Sequence, residues 1–439
     1  MSRSPEPVRE PLTTLDDWLR WLEILHPKKI DMSLDRVETV LAALELSPPP
    51  YRILSVAGTN GKGSCVATLE RIYRQFGYRV GAYTSPHLWR FNERIRLDGT
   101  DAPDDDLVAV FQRIDRARGD TTLSYFEYTT VAAFLYFAER GVDLAVLEVG
   151  LGGRLDAVNA MDADLALIAS IDLDHQHWLG ETREAIGVEK AGIMRAGRPA
   201  VVADRCPPQA LLDHAQGLGA QLKLIGRDFD LTRHGDGSWD YHGARMHLRR
   251  LPKPALRGAV QYGNTAACLA AIEALDPRVA DKHEALALAL AGVVLPGRLQ
   301  SILSDGVEWL FDVAHNPAAA RVLAAELEAK PVQGRTLAIV GMMADKDIGG
   351  VLEPMAGLVD EWTVTRADSE RASDSVAIAR LLESLGCERL HEALDVTAAC
   401  ELARRHARPG DRVVTFGSFY VVGPAMSALG LYCSPSLSD

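Results

Sequence analysis

The sequence predicts an α/β protein of two domains built on parallel sheets, and three observations carry that expectation. Strand-like apolar runs alternate with helical patterns along the chain, the pattern of a parallel sheet with crossover helices. Between the first such run, Ile53-Leu54-Ser55-Val56, and the amphipathic segment 64–73 lies a glycine-rich turn, Ala57-Gly58-Thr59-Asn60-Gly61-Lys62-Gly63-Ser64. Leu295-Pro296-Gly297-Arg298 then breaks the helical pattern, and a fresh α/β series begins beyond it. The 439 residues exceed what one hydrophobic core serves. The boundary is therefore placed near Pro296, with domains of 1–296 and 297–439.

Taken in order, 79–84 reads as a second strand, 104–118 and 128–140 as helices, 143–149 as a central strand and 163–171 as another. A helix over 181–195 and a strand over 199–203 follow. From 228 to 248 the pattern shortens and alternates around Gly235, Gly237 and Gly243, which predicts a small antiparallel excursion. Segments 261–275 and 283–293 are helical. In the second series 308–313, 336–340, 361–365 and 412–416 are strands separated by helices, and no repeat of 20–50 residues is visible.

Composition narrows the function. A net charge of −13 and an isoelectric point near 5.4 argue against a nucleic-acid or acidic-membrane partner. The one basic cluster, 247–253 (HLRRLPK), is short and is expected to be a solvated edge. Six cysteines, at 65, 206, 268, 387, 400 and 433, form no C-x-x-C pair and suit a reducing cytoplasm. The first residues, MSRSPEPVREP, lack the apolar core of a signal peptide, and 433–439 read as a frayed tail. The longest apolar stretch, 285–295, falls short of the ~20 residues of a membrane span. A soluble cytoplasmic protein is expected.

The glycine-rich turn carries the chemistry. A turn there aims backbone N–H groups and the positive end of a helix dipole at one point, which is a phosphate site. Lys62 reaches outer phosphates, and Ser64 is placed to touch Mg²⁺ or a phosphate. Gly63 separates lysine from hydroxyl, a departure from the commonest P-loop. The strand–loop–helix order points to a nucleotide-handling enzyme. Glu148, at the carboxyl end of the central strand and before Gly150-Leu151-Gly152-Gly153, sits where a Mg²⁺ ligand belongs. Ser85 and His175 also follow strands, as hydroxyl and imidazole candidates. Lys190, in Gly187-Val188-Glu189-Lys190-Ala191-Gly192-Ile193, reads from spacing alone as a lysine snorkelling to solvent. In the second domain Asp312 is placed to bind a ribose hydroxyl. Arg298 reads equally as a phosphoryl contact or as a helix-end cation. Cys65 reads as a small packing residue.

Together these segments resemble the folylpolyglutamate synthase family, in particular its bacterial bifunctional dihydrofolate synthase/folylpolyglutamate synthases. The resemblance runs from about Trp18 to Val422 through AGTNGKGS, YTSPHL, LEVGLGGRLDAVN, LDHQHWLG, VEKAGIMR, LPGRLQ, FDVAHNP, GMMADKDI and TFGSF. Gly63 belongs to this family's form of the loop. The resemblance implies a Mur-ligase-like P-loop domain followed by a smaller Rossmann-like domain. It implies that Asn60, Gly61, Lys62, Gly63 and Ser64 hold ATP phosphates, completed across a cleft by Asn264, Arg298 and Asp312. It implies two Mg²⁺ ions on Ser85, Glu148 and His175, with Lys190 carbamylated to help fix a metal. His315 falls where the second domain approaches phosphate and glutamate, as base or as glutamate-positioning group. Ile30-Asp31-Met32-Ser33, Ser124-Tyr125-Phe126-Glu127 and Leu155-Asp156-Ala157 match the dihydropteroate site, with Met32-Ser33 where Leu-Gly is often seen.

The implied reaction adds L-glutamate to dihydropteroate and to reduced folates through an acyl phosphate, by a monomer acting on small molecules. Three rivals stand beside it. A Mur ligase of peptidoglycan precursors has a separate N-terminal UDP-sugar domain, for which a P-loop at residue 58 leaves no room. A monofunctional folylpolyglutamate synthase would not use dihydropteroate. A P-loop regulator would hydrolyse nucleotide without glutamate.

Overall fold

The computed structural model describes residues 12–276, 279 and 282–431. The expected signal-free N-terminal segment 1–11 and the tail 433–439 lie outside them. The run before the glycine-rich turn is β1 (Arg52–Ala57), buried from Ile53 onward, as a strand covered on both faces must be. It sits inside an eight-stranded sheet with β2 (Val80–Tyr83), β3 (Ile95–Leu97), β4 (Thr100–Asp101), β5 (Leu144–Glu148), β6 (Leu165–Ile168), β7 (Pro199–Val202) and β8 (Gln221–Leu224). Their order is β4-β3-β2-β5-β1-β6-β7-β8. β5 and β6 both pair with β1 in parallel, one on each side. The strand order thus diverges at β1, and the crevice at such a point is where α/β sheets bind ligands. At one edge the expectation of a purely parallel sheet fails, because β2, β3 and β4 pair antiparallel. Gly99, at φ +78, lets the chain turn back between β3 and β4.

Alternate residues of β1 serve opposite faces. Ile53 and Ala57 join a core with Leu22, Val40, Phe111 and Phe134, whereas Leu54 and Val56 join one with Val66, Leu69, Ala266 and Leu286. The first face carries two helices that the strand–helix alternation did not signal, Leu15–Leu25 and Asp35–Ala43. The former begins with a reciprocal cap, in which Thr14 accepts from Asp17 N–H and Asp17 accepts from Thr14 N–H.

The excursion expected over 228–248 is a three-stranded antiparallel sheet of β9 (Asp230–Arg233), β10 (Trp239–His242) and β11 (His247–Leu251). The basic cluster falls on β11, an outer strand whose Leu248 and Leu251 point inward while Arg249 and Arg250 are exposed.

A second sheet of six strands follows: β12 (Gln300–Ser304), β13 (Val307–Phe311), β14 (Thr336–Val340), β15 (Glu361–Thr365), β16 (Leu390–Ala393) and β17 (Arg412–Phe416), in the order β12-β13-β17-β14-β15-β16. β12 is antiparallel to β13 and the rest are parallel. Among the described residues no helix is long and apolar enough to cross a membrane.

Candidate active site

The carboxyl ends of the two sheets face one cleft of about 810 Å³. On the first side β1 runs through the glycine-rich turn into helix Lys62–Gln75. Gly61, the residue before that helix, has φ +86, and a Cβ there would meet Asn264 Oδ1 at 2.9 Å. Only glycine meets both demands. Lys62 curls back over the turn, donating to the carbonyls of Gly58 at 3.0 Å and Thr59 at 3.2 Å. Burial pushes its ammonium below the ordinary range, while the Glu148 and Asp174 carboxylates act in the opposite direction. Ser64 is buried and accepts from Gln261 Nε2 at 3.3 Å, and Gln261 in turn accepts from Asn264 Nδ2 at 3.1 Å. Helix Val260–Leu275 therefore holds the phosphate loop from behind. Cys65 is fully buried beside Cys268, as a packing residue.

Glu148 ends β5 and is 5% exposed. The Ser85 N–H donates to its Oε2 at 3.4 Å. Burial pushes its carboxyl up, against Lys62 and Arg298. His175 follows β6 and is held neutral, its pKa lowered to about 4 by burial and by the Lys346 ammonium. Glu148 and His175 both line the cleft, and a buried carboxylate and a neutral imidazole are each side-chain types that a divalent cation accepts as ligands.

Lys190 corrects the reading from spacing. It does not reach solvent but is 4% exposed inside the cleft wall, because helix Arg183–Ala191 packs its lysine face against the loop after β5. There a Cβ on Gly153 would meet the Glu189 carbonyl at 2.6 Å. Among the described residues no carboxylate pairs with Lys190. Burial, with Lys62 nearby, lowers its pKa to about 7. Arg298 is not a helix-end cation either, since the preceding helix ends at Ala291. Its guanidinium lies 5.0 Å from the centre of the Phe419 ring, lining the cleft. Asp312 takes the N–H groups of Leu299 and Ala314, both at 2.8 Å, which fixes its carboxylate at the end of β13.

Three residues that the motif-by-motif reading quoted without a role join the domains. Asn60 and Asn316 exchange amide hydrogen bonds at 3.2 and 3.0 Å across the cleft. Asn316 Nδ2 also donates to Asp174 Oδ2 at 3.1 Å, and its Oδ1 caps helix Pro317–Ala329 through Ala319 N–H at 2.9 Å. Lys346 Nζ donates to Asp174 Oδ1 at 2.7 Å and lies 3.4 Å from His175 Nε2. This ammonium holds the Asp174 carboxyl well below the usual carboxylate range. His315 Nδ1 donates to the Val313 carbonyl at 2.9 Å, which leaves Nε2 as the acceptor of the neutral ring, and burial lowers its pKa to about 4. The available signal was the motif text itself, FDVAHNP and GMMADKDI, in which an amide and an ammonium follow strands.

The three segments expected to bind dihydropteroate do not line this cleft but gather beside it. Arg36 ties Asp31 to Glu127, at 3.2 and 2.6 Å. Met32 approaches Gly152, and Phe126 covers Gly150, where a Cβ would meet its ring at 2.5 Å. Ser124 and Glu127 form a reciprocal cap on helix Tyr125–Arg140. Asp156 takes the N–H groups of Leu151 and Val158, next to half-buried Leu155 and buried Ala157. Ile30 is exposed, and Ser33 donates to Asp35. All three segments thus surround the glycine loop after β5.

Residues 297–419 match the Mur ligase, glutamate ligase domain. That match, with a phosphate loop facing it, defines an ATP-dependent ligase of the Mur type. The dihydrofolate synthase/folylpolyglutamate synthase of Escherichia coli (strain K12) is 42% identical over 94% of this chain and 95% of its own length. The structure of E. coli FolC in complex with DHPP and ADP superposes with a TM-score of 0.89 at 41% identity, covering 95% of this chain and 98% of that one. A bifunctional folylpolyglutamate synthase/dihydrofolate synthase with Mn, AMPPNP and L-glutamate bound gives 0.88 at 39% identity, over 95% and 98%. The chain belongs to the dihydrofolate synthase/folylpolyglutamate synthase family.

Proposed function

We propose that this chain uses ATP to join L-glutamate to dihydropteroate, forming dihydrofolate, and to reduced folates, forming γ-linked polyglutamates. The observation that carries the reading is the convergence, across one cleft, of a phosphate loop with Arg298, Asp312 and His315 from the second sheet. The acceptor carboxylate attacks the γ-phosphorus of ATP, giving an acyl phosphate and ADP. The glutamate amine then attacks the acyl carbon, and phosphate leaves. Asn60, Gly61, Lys62, Gly63, Ser64 and Asn264 hold phosphates, Asp312 holds ribose, and Arg298 stabilises charge on the transferring group. His315, neutral with Nε2 free to accept, takes a proton from the amine or positions it.

Ser85, Glu148 and His175 would hold two Mg²⁺ ions with Lys190. Such ions, when bound, neutralise phosphate charge. The low pKa of Lys190 supports its carbamylation, because an appreciable neutral fraction near pH 7 can add CO₂ and release a proton. Segments 30–33, 124–127 and 155–157 form the pterin pocket. The division at 296/297 separates the ATP-binding unit from the glutamate-ligase unit. The protein works as a cytoplasmic monomer on small molecules, without nucleic acid or membrane, in keeping with its charge of −13.

Product analysis tests the bifunctional reading. Incubation with ATP, L-glutamate and dihydropteroate should yield dihydrofolate, and tetrahydrofolate should be extended. Extension of tetrahydrofolate alone would assign a monofunctional folylpolyglutamate synthase.

A further inference from the structure

At the far end of the second sheet, three metal-ligating side chains outside the cleft meet at one point. Glu361 opens β15, and β16 is the outer strand of the sheet. Thr363 pairs in register with His391, so Glu361, two residues before Thr363, shares its face with His391. Helix Val396–His406 packs on β15 and β16 and ends on His406. Lys346 and Arg371, which line the cleft, follow the carboxyl ends of β14 and β15. Glu361 lies at the amino end of β15, about 13 Å of strand from its carboxyl end.

Glu361 Oε1 lies 3.2 Å from His391 Nε2 and is also hydrogen-bonded to His406 Nδ1. The imidazole planes cross at 84° with centroids 4.9 Å apart, so their nitrogens converge instead of stacking. Arg335 Nη1 donates to Glu361 Oε2 at 2.9 Å and is anchored in turn by Asp411, which turns Oε1 toward the histidines. All three ligand atoms fall within 4.8 Å of one another. A tetrahedral zinc with Zn–N of about 2.0–2.1 Å needs ligand atoms roughly 3.3 Å apart, so small side-chain rotations bring them to bonding distance. The histidine side chains are 36% and 34% exposed, which gives an ion a route in and a fourth position for water. Two imidazoles with one carboxylate favour a zinc-class ion over Mg²⁺, which prefers an all-oxygen shell.

We propose that Glu361, His391 and His406 bind one zinc-class divalent cation, tying outer strand β16 and the last turn of helix Val396–His406 to β15. The site is independent of the ligase reading. The test titrates the full chain with Zn²⁺ against a chromophoric chelator, in excess Mg²⁺ to occupy oxygen-rich sites in the cleft. One equivalent should bind and raise the melting temperature. His391→Gln and His406→Gln should each weaken uptake at least about tenfold and abolish the thermal shift, with ligase turnover unchanged. Co²⁺ should give the visible absorption of a four-coordinate ion in the parent protein and lose it in both variants. Failure to take up one equivalent would reduce the cluster to a hydrogen-bonded Glu–His–His array. Undiminished uptake in the two variants would place the ion elsewhere; either result overturns the proposal.

Discussion

Replacing Asn316 separates two jobs that the structure gives one side chain. Its Oδ1 caps helix Pro317–Ala329, while its Nδ2 reaches across the cleft to Asn60 Oδ1 at 3.0 Å and Asp174 Oδ2 at 3.1 Å. Asn316→Asp keeps a capping oxygen, and Asn and Asp cap equally well. It removes both hydrogen bonds that Asn316 donates across the cleft, keeps an acceptor for Asn60 Nδ2, and brings a second carboxylate beside Asp174. A neutral hydrogen bond contributes about 1 kcal/mol and one to a charged acceptor about 1.5–3 kcal/mol. Because these contacts are only part-buried, that sum falls to roughly 2 kcal/mol, or about 30-fold in the equilibrium that joins the two sides of the cleft. Asn316→Ala loses the cap as well, which costs about 1 kcal/mol more and about 2–4 °C in melting temperature. Steady-state turnover and thermal unfolding, measured on both variants, check this. The aspartate variant should lose turnover at near-parent stability, and the alanine variant should lose both. Parent-like turnover in Asn316→Asp would refute the role of the amide pair in holding the domains together.

Lys62→Ala and Glu148→Ala should each cut turnover by about 10²–10³ while circular dichroism stays unchanged, since each faces the cleft and loses one preorganised electrostatic contact. If the charge of Arg298 acts on the transferring group as proposed, Arg298→Ala should lower the turnover number more than it raises the KM for ATP, a split that steady-state kinetics reads directly. Lys190→Ala should be poorly active yet partly restored by acetate or formate, small carboxylates that fit the space of a carbamate. Activity unaffected by the substitution would return Lys190 to a packing role.

Much of the fold was legible because local signals were strong. Helix Asp104–Arg118 and strands Thr336–Val340, Glu361–Thr365 and Arg412–Phe416 fall where periodicity puts them. β3, β4, β8, β12 and β16 escaped notice because they are short or lie at sheet edges, where exposure breaks the apolar run. Leu15–Leu25 carried a readable sign, the Thr14–Asp17 cap, that the strand–helix alternation overshadowed. At the candidate site, the phosphate loop and Glu148 were readable because a turn and a strand end are local features. Lys190 was not, because its burial is set by the Gly150–Gly153 loop packed against it. Asn316 and Lys346 meet Asp174 only when two domains dock, and nothing in the more than 100 residues that separate each of them from Asp174 encodes that contact.

The most direct measurement is ADP release in a coupled assay, with dihydropteroate and L-glutamate added separately and together. A ligase that passes through an acyl phosphate should release ADP steadily only when both are present, with dihydrofolate formed in equal amount. ADP release at the same rate with neither substrate would contradict the ligase reading and assign the chain to the slow nucleotide hydrolases.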